Sequence, residues 1–152
     1  MNNGARPENP AKTFLKRYRA MMQRRESLQR SINEAYDRAT NCTGKLKAIP
    51  VSGGGAAYDR MAEDVVKIAD STEQLKAVLM QIDKDLAEIL TAIDAVPDER
   101  QKTVLTLRYI EGLDWLKIQE KMGYEKTQAL VIHGRGLWQV KQYLIKIGHL
   151  PQ

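Results

Sequence analysis

The chain has little of the chemistry that metal centres and disulfides require. Its 152 residues include one cysteine, Cys42, and two histidines. One cysteine excludes an internal disulfide, and together with two histidines it leaves no zinc-binding set. No stretch approaches the ~20 apolar residues of a membrane span, and no early apolar run resembles a signal peptide. We therefore expect a protein with no metal and no membrane partner, located in the cytoplasm.

Catalytic sets are absent as well. Asp83 and Asp85, or Asp98 and Glu99, are carboxylates that lie close in sequence. Neighbours one or two positions apart on a helix do not face each other, so these pairs predict a solvated surface. The triple glycine that ends at Gly55 has no strand before it and no Gly-Lys-Ser/Thr after it, which favours a linker over a nucleotide site. The sequence therefore predicts a protein that is not an enzyme and carries no cofactor.

Charge is divided unevenly along the chain. Residues 1–57 carry a net charge of +7, residues 58–96 a net −5 and residues 97–152 a net +3, within a total of +5. After Glu125 there is no acidic residue, whereas four basic residues follow, namely Lys126, Arg135, Lys141 and Lys146. The C-terminal end is thus locally basic, as neutralisation of nucleic-acid phosphates requires.

Apolar spacing in the first two thirds of the chain predicts two long helices. Residues 1–11 are expected to form a disordered tail, because they are rich in Asn and Pro. A first helix is predicted from Lys12 to about Asn41, with apolar residues at alternating spacings of four and three and one interruption at Arg25. Residues 42–57 contain a proline and three consecutive glycines, and this composition predicts a loop.

The second helix is predicted from Tyr58 to about Ala95 and completes a coiled-coil-like hairpin over residues 12–96. Its apolar seam, called the α2 seam below, consists of Met61, Val65, Ile68, Thr72, Leu75, Leu79, Ile82, Leu86, Ile89, Ile93 and Val96. So long an apolar stripe must be covered. The first helix, which is opposite in charge, is one candidate, and a second copy of the chain is the other. Pro97 disfavours helical geometry at the preceding residue and marks the predicted domain boundary.

Residues 97–147 are expected to form a separate helical domain with three patterns. The first ends at Gly112, the second runs from its N-cap Asp114 to Gly123, and the third from Lys126 to Lys146. The residues of this domain expected in its core include Leu107, Trp115, Ile118, Ile132 and Leu137. Two short helices joined by a Gly-containing turn are typical of a helix-turn-helix, whose second helix can enter the major groove of DNA.

Two glycines, Gly134 and Gly136, fall inside the third pattern. Each costs on the order of 1 kcal/mol relative to alanine in a helix. That cost indicates close approach, either to a neighbouring helix or to a phosphate. Gly148, with Pro151 shortly after it, closes the helix, and residues 148–152 are expected to form a tail.

Several residues of this domain carry a family resemblance. They are Pro97 with Arg100, the run VLTLRYIEGLDWLKI, the MGY that ends at Tyr124, and the later HGRGL. Together they resemble region 4 of sigma-70-type transcription factors, and in particular the sigma-region-4-like proteins of phages and prophages. That group includes late transcription regulators of the RinA/ArpU kind and relatives of undefined function. The resemblance implies a four-helix, DNA-binding helix-turn-helix domain. Two residues depart from the family pattern: Gln119 replaces a small residue, and Glu125 replaces the usual Ser at the N-cap.

If this domain binds DNA, the first turns of its last helix hold the residues that read bases. Gln128 can form two hydrogen bonds with adenine, Lys126 can reach guanine or phosphate, and Val131 can meet a thymine methyl group. The expected base contacts are Lys126, Thr127, Gln128 and Val131. The expected phosphate contacts, which fix position without reading sequence, are Lys117, His133, Arg135 and Lys141. For His133, capping or packing inside the domain is the alternative.

We therefore expect a sequence-specific DNA-binding transcription regulator of the phage or prophage type, associated with the nucleoid of a bacterial host cell. Double-stranded DNA is the expected partner, and the hairpin is expected to form a homodimer or to contact RNA polymerase. One alternative is an interaction adaptor that uses the sigma-like fold and the hairpin to bind protein. Another is a DNA-packaging protein similar to the small subunit of terminase, which a ring-shaped oligomer would distinguish.

Overall fold

The computed structural model describes residues 7–46 and 55–152, and within these ranges it contains helices and no β-strand. The predicted all-α class is therefore confirmed. The elements in chain order are α1 (Pro10–Leu46), α2 (Gly55–Asp94), α3 (Glu99–Leu105), a π-helical segment (Thr106–Ile110), α4 (Trp115–Met122) and α5 (Lys126–Lys146). None of the described helices combines the length and the apolar character that crossing a membrane demands.

The start of α1 corrects the predicted tail. The Asn9 side chain accepts a hydrogen bond of 3.0 Å from the backbone N–H of Ala11. Pro10 takes the first helical position, where a missing N–H leaves no bond unmade. Ala11 is fully buried. The prediction of disorder is therefore wrong for the last two residues of the tail, and its first six residues lie outside the described ranges.

The predicted loop over residues 42–57 is too long at both ends. The α1 helix continues to Leu46, and α2 begins at Gly55. Local composition favoured an earlier end to α1, and helix ends are the least precise part of such a prediction. Residues 47–54 lie outside the part of the chain that the structure describes.

Contacts divide the chain into two compact units. Unit 1 combines the described part of Met1–Ala20 with Asp83–Gln152, and unit 2 is the described part of Met21–Ile82. The boundary predicted at Pro97 does not coincide with this division. The first turns of α1 and the last turns of α2 belong to the same unit as α3, α4 and α5.

Unit 1 has a continuous apolar core. Ala11, which precedes the predicted start of α1, and Leu15, which follows Phe14 of its predicted apolar seam, are fully buried in it. The other core residues are Phe14, Ile89, Ala92, Ile93, Val96, Leu105, Tyr109, Leu137, Val140 and Leu144. Leu150 packs against this core, so the predicted C-terminal tail folds back after Gly148, whose φ is +75°. The beginning of α1 is thus part of the C-terminal domain's interior.

A charged group, Asp85, is also buried in unit 1, and the predicted solvated surface is wrong for this residue. Asp85 is 2% exposed, and its carboxylate accepts a hydrogen bond from the Arg17 guanidinium. Arg17 also donates to Glu88 at 3.1 Å. A carboxylate can be buried at tolerable cost when it is paired in this way.

In unit 2, α1 and α2 pack antiparallel. Near one end Arg38 donates two hydrogen bonds to Asp64, of 3.2 and 3.0 Å, and farther along Gln29 and Leu75 line one groove. The buried residues of this unit are Ala35, Ser71, Val78 and Ile82. Within the single chain α1 does not cover the α2 seam at Val65 and Leu79, which are 52% and 43% exposed. A neighbouring row, with Ser71 and Val78, is turned inward in their place.

Candidate nucleic-acid interface

The interface is built on α4 and α5, which residues 123–125 connect. Asp114 caps α4 by accepting a hydrogen bond of 2.9 Å from the backbone N–H of Lys117. Gly123 ends α4 in the left-handed conformation, with φ of +67°, and its N–H donates to the Gln119 carbonyl at 2.9 Å. Both predicted ends of α4 are confirmed. Glu125 occupies the N-cap position of α5, and its side chain makes no capping hydrogen bond.

The chain before α4 departs from the predicted α-helix. Thr106–Ile110 is π-helical, and the N–H of Glu111 donates to the carbonyl of Thr106 at 3.0 Å. Within this segment the Arg108 guanidinium donates to the carbonyl of Leu113 at 2.8 Å. The same guanidinium lies 5.2 Å from the centre of the Trp115 ring, within the range of a cation–π contact. Arg108 therefore fixes the turn against the first residue of α4, a role that sequence patterns did not reveal.

Gly112 lies in the same turn and contacts α1. Its φ is +70°, a value that favours glycine, and a Cβ built on it would lie 2.4–2.6 Å from guanidinium atoms of Arg19. No side chain fits there unless Arg19 moves. The start of the helix pair is thus held from two sides, by α1 and by the π-helical segment.

His133 lies in the interior of this domain. It is 9% exposed, and its Nε2 shares a hydrogen bond of 2.9 Å with the Tyr109 hydroxyl. The Tyr109 ring stacks on it with centroids 5.7 Å apart, and Trp115 contacts it edge-on at 5.0 Å. Burial, with the positive charges of Lys12 and Arg108, lowers the pKa of His133 to about 4. The imidazole is therefore neutral at pH 7. Its predicted contact with phosphate is wrong, because the ring faces the core; the packing alternative is the observed one.

Four predicted site residues do come together. Thr127, Gln128, Val131 and Arg135 line one groove of about 430 Å³, in which α5 faces the start of α3. We call it the α3–α5 groove, and its other lining residues are Asp98, Arg100, Gln101, Glu125 and Ile132. Because Thr127, Gln128, Val131 and Arg135 are all exposed, their side chains are accessible to a macromolecule.

Arg100 is a cation of this groove that sequence reasoning named only as part of the family resemblance. Asp98 caps α3 by accepting hydrogen bonds from the backbone N–H groups of Arg100 and Gln101, and it pairs with the Arg100 guanidinium at 3.1 Å. Hydrogen bonding from Arg100 lowers the pKa of Asp98, and the same interaction raises the pKa of Arg100. The α3 cap thus orients a positive charge beside the exposed side of α5.

Lys117, Lys126 and Lys141 do not line the groove. Lys117 and Lys126 are exposed in the first turns of α4 and α5, and Lys141 is half-buried farther along α5. Within residues 7–46 and 55–152 no carboxylate forms an ion pair with any of these three lysines. The structure therefore groups the predicted base contacts more closely than the predicted phosphate contacts.

The side of α5 that points away from the core carries large apolar residues. Leu130 is 41% exposed, Val131 49% and Trp138 57%. The glycines of α5 differ in their surroundings. A Cβ on Gly136 would lie 3.1 Å from Cδ1 of Leu105, whereas a Cβ on Gly134 would meet nothing within 4 Å. Close approach to a neighbouring helix is confirmed for Gly136 and does not apply to Gly134.

Over the described residues, no three His, Cys, Asp or Glu side chains are arranged to hold a metal ion. No protein-family model, no curated protein and no solved structure matches the chain.

Proposed function

We propose that this protein is a sequence-specific DNA-binding regulator of transcription, in which α4 and α5 act as a helix-turn-helix of the sigma-region-4 type. One observation carries the proposal: the first turns of α5 expose Thr127, Gln128 and Val131 along a groove that also holds Arg100 and Arg135. Base recognition requires polar side chains that hydrogen-bond with base edges, and cations beside them that contact phosphates. At 1.5 Å per residue, α5 spans roughly 30 Å and can lie in a major groove about 12 Å wide.

The charges of the groove define how DNA would be oriented. The carboxylate of Glu125 would repel a phosphate at the start of α5, although a carboxylate there suits the helix dipole. Phosphates are therefore expected beside Arg135, since the Arg100 guanidinium is already paired with Asp98. Glu125 then faces base edges, where a carboxylate can accept a hydrogen bond from the amino group of cytosine.

The test is selection of bound sequences from random duplex DNA by the full-length protein. Gln128→Ala is expected to relax preference at one base position by about 1–3 kcal/mol. Gln142→Ala is the matched control, because Gln142 is an exposed glutamine of the same helix outside the groove. It should leave the selected motif unchanged.

Either of two outcomes would contradict base reading by α5. Binding that yields no motif, falls steeply with salt and is indifferent to Gln128→Ala would leave only nonspecific attraction to phosphates. An unchanged motif with Gln128→Ala would place the reader elsewhere.

The hairpin is proposed to make the protein a homodimer. A dimer would bind DNA more tightly than one small helix-turn-helix, because binding of the first domain raises the effective concentration of the second. Val65 and Leu79 support this role, because they keep the spacing of a coiled-coil seam and are exposed in unit 2. Leu79→Lys is expected to shift the sedimentation coefficient to that of a monomer. Ala77→Lys is the control, because Ala77 is an exposed residue of the same helix outside the seam. A monomeric wild type, or a dimer that survives Leu79→Lys, would contradict this role.

A protein-interaction adaptor is the second candidate function. The exposed apolar residues of α2 beyond the seam, Val66 at 60% and Met80 at 75%, favour it. RNA polymerase is the partner to test first. Direct binding of purified polymerase that is lost in Met80→Lys, with no selected DNA motif, would support the adaptor over the regulator.

A further inference from the structure

The two glycines inside α5 differ in their surroundings. A neighbouring residue of the chain accounts for Gly136, but none of the described residues accounts for Gly134. Glycine within a helix costs on the order of 1 kcal/mol relative to alanine. For Gly136 the reason is internal, because a Cβ there would lie 3.1 Å from Cδ1 of Leu105 in α3, closer than ordinary van der Waals contact. For Gly134 no neighbouring atom of the described chain lies within 4 Å of the place that a Cβ would take, so alanine would fit and would favour the helix. The absence of a side chain at Gly134 therefore points to something outside the chain.

Gly134 lies between two exposed side chains on one face of α5. Val131 is three residues before it and Trp138 four residues after it, so the three share a face. Val131 and Trp138 are 49% and 57% exposed, which places this face outward. The result is a notch whose floor is the α5 backbone at Gly134. We call it the Gly134 notch.

The charge around the notch favours a polyanion. Arg135 follows Gly134 directly and is exposed, and Lys141 lies two turns farther along the helix. No acidic residue occurs anywhere after Glu125. Two cations and no carboxylate on this part of the helix are unfavourable for a basic partner and favourable for phosphates.

The position along the helix identifies which part of DNA would meet the notch. Gly134 is eight residues after Lys126, which corresponds to about 12 Å along the axis at 1.5 Å per residue. A major groove is also about 12 Å wide, so a helix that enters with its first turn reaches the far rim near this point. The rim of the groove is the sugar-phosphate backbone.

We propose that the Gly134 notch receives the phosphodiester backbone at the rim of the major groove, with Trp138 as a further DNA contact. The lack of a Cβ lets a deoxyribose or phosphate come close to α5. The indole N–H of Trp138 donates to a phosphate oxygen, and its ring packs against the sugar. This assignment rests on the proposed DNA binding and adds a contact that carries no base information.

The experiment compares Gly134→Ala with the matched substitution Gly136→Ala in the full-length protein. Gly134→Ala is expected to raise Tm by about 2–4 °C, because helix propensity improves in open space. The same variant should bind the selected DNA about tenfold more weakly, equivalent to the loss of about 1.4 kcal/mol. It should also lose the same factor on random duplex DNA, since backbone contacts are independent of sequence. Gly136→Ala should not gain stability.

A second readout follows Trp138 directly. Duplex DNA should change the tryptophan fluorescence of the wild-type protein, and the change should be absent in Trp138→Phe, which keeps Trp115. Trp138→Phe should weaken binding without altering the selected motif, because the phosphate donor is lost and the base readers remain.

The outcomes separate this inference from the proposed function. If the wild-type protein selects no DNA motif, the proposed sequence-specific function fails, and the notch assignment is then decided on random duplex DNA, where Gly134→Ala must still bind about tenfold more weakly. If the wild type selects a motif and Gly134→Ala binds as tightly, only the notch assignment is overturned. A lower Tm for Gly134→Ala would also overturn it, since the glycine would then serve the fold. A change of oligomeric state in Gly134→Ala with unchanged DNA affinity would assign the notch to a second copy of the chain.

Discussion

The two compact units differ in how completely they bury their apolar residues. In unit 1 large side chains such as Leu15, Ile89, Leu105 and Leu144 have no exposed surface. In the described part of unit 2 the buried residues are two small ones, Ala35 and Ser71, and two larger ones, Val78 and Ile82. The same two long helices run through both units. What separates the units is therefore the number of neighbouring helices, and not the quality of the apolar pattern.

This difference shows where the stability of the fold resides. Buried apolar area contributes about 25 cal/mol per Å², so the unit with the closed core contributes most. Unit 2 leaves Tyr36, Tyr58, Val65, Val66, Leu79 and Met80 exposed. The proposed association through the hairpin would cover some of these residues. The comparison thus assigns folding stability mainly to unit 1.

The largest effect is expected from truncating matched leucines in the two units. Leu105→Ala, at a fully buried position, should lower the free energy of unfolding by about 2–5 kcal/mol because a cavity remains. Leu79→Ala, at a position that is 43% exposed, should lower it by less than about 1 kcal/mol at a protein concentration low enough for the chain to be a monomer. Urea unfolding followed by circular dichroism measures both. Equal losses would show that the two units do not differ in stability as burial indicates.

Lowering the pH is expected to reduce the free energy of unfolding by a smaller amount. The group responsible should lie in unit 1. The pKa of His133 is about 4 in the folded protein, against 6.5 when exposed. The unfolded state therefore binds more protons between these values, and stability falls as pH drops from about 6.5 towards 4. For His133 alone the loss between pH 7 and pH 5 is about 2 kcal/mol, using 1.36 kcal/mol per pKa unit.

Urea unfolding at pH 7 and pH 5 measures this difference in the wild type and in two variants. His133→Gln does not titrate and keeps a polar partner for Tyr109, so its loss on acidification should be smaller by about 2 kcal/mol. His149→Gln is the control, because His149 is exposed. A pH dependence that disappears in His149→Gln and persists in His133→Gln would contradict the assignment.

Local sequence signals predicted the helix ends of the C-terminal domain well. Asp114 and Gly123 bound α4 as expected, because a capping carboxylate and a left-handed glycine act within a single turn. Core positions such as Ile118 and Leu137 were also predicted correctly, since one face of a short helix must be covered. Trp115 was only partly predicted, because it is half-buried against His133 and Arg108.

Other features depended on partners that are distant in sequence. The periodicity of α1 did not place Leu15 in a core, because the helices that cover it are more than seventy residues away. The place of His133 beside Gly134 and Arg135 in sequence suggested a phosphate contact, and only the positions of Tyr109 and Trp115 explain its burial. Of the eight predicted DNA contacts, four line the groove, namely Thr127, Gln128, Val131 and Arg135. Arg100 joins them through packing of α3 on α5.

The sequence by itself determined the all-helical class, the caps and breaks of the short helices, and the basic character of the last segment. These properties follow from single residues and from spacings of three and four along the chain. Only the tertiary structure decided which row of α2 is covered, that α1 begins inside the C-terminal core, and that Gly134 and Gly136 differ. The physical reason is that burial depends on the neighbours a face finds in space, and a periodic pattern does not specify them.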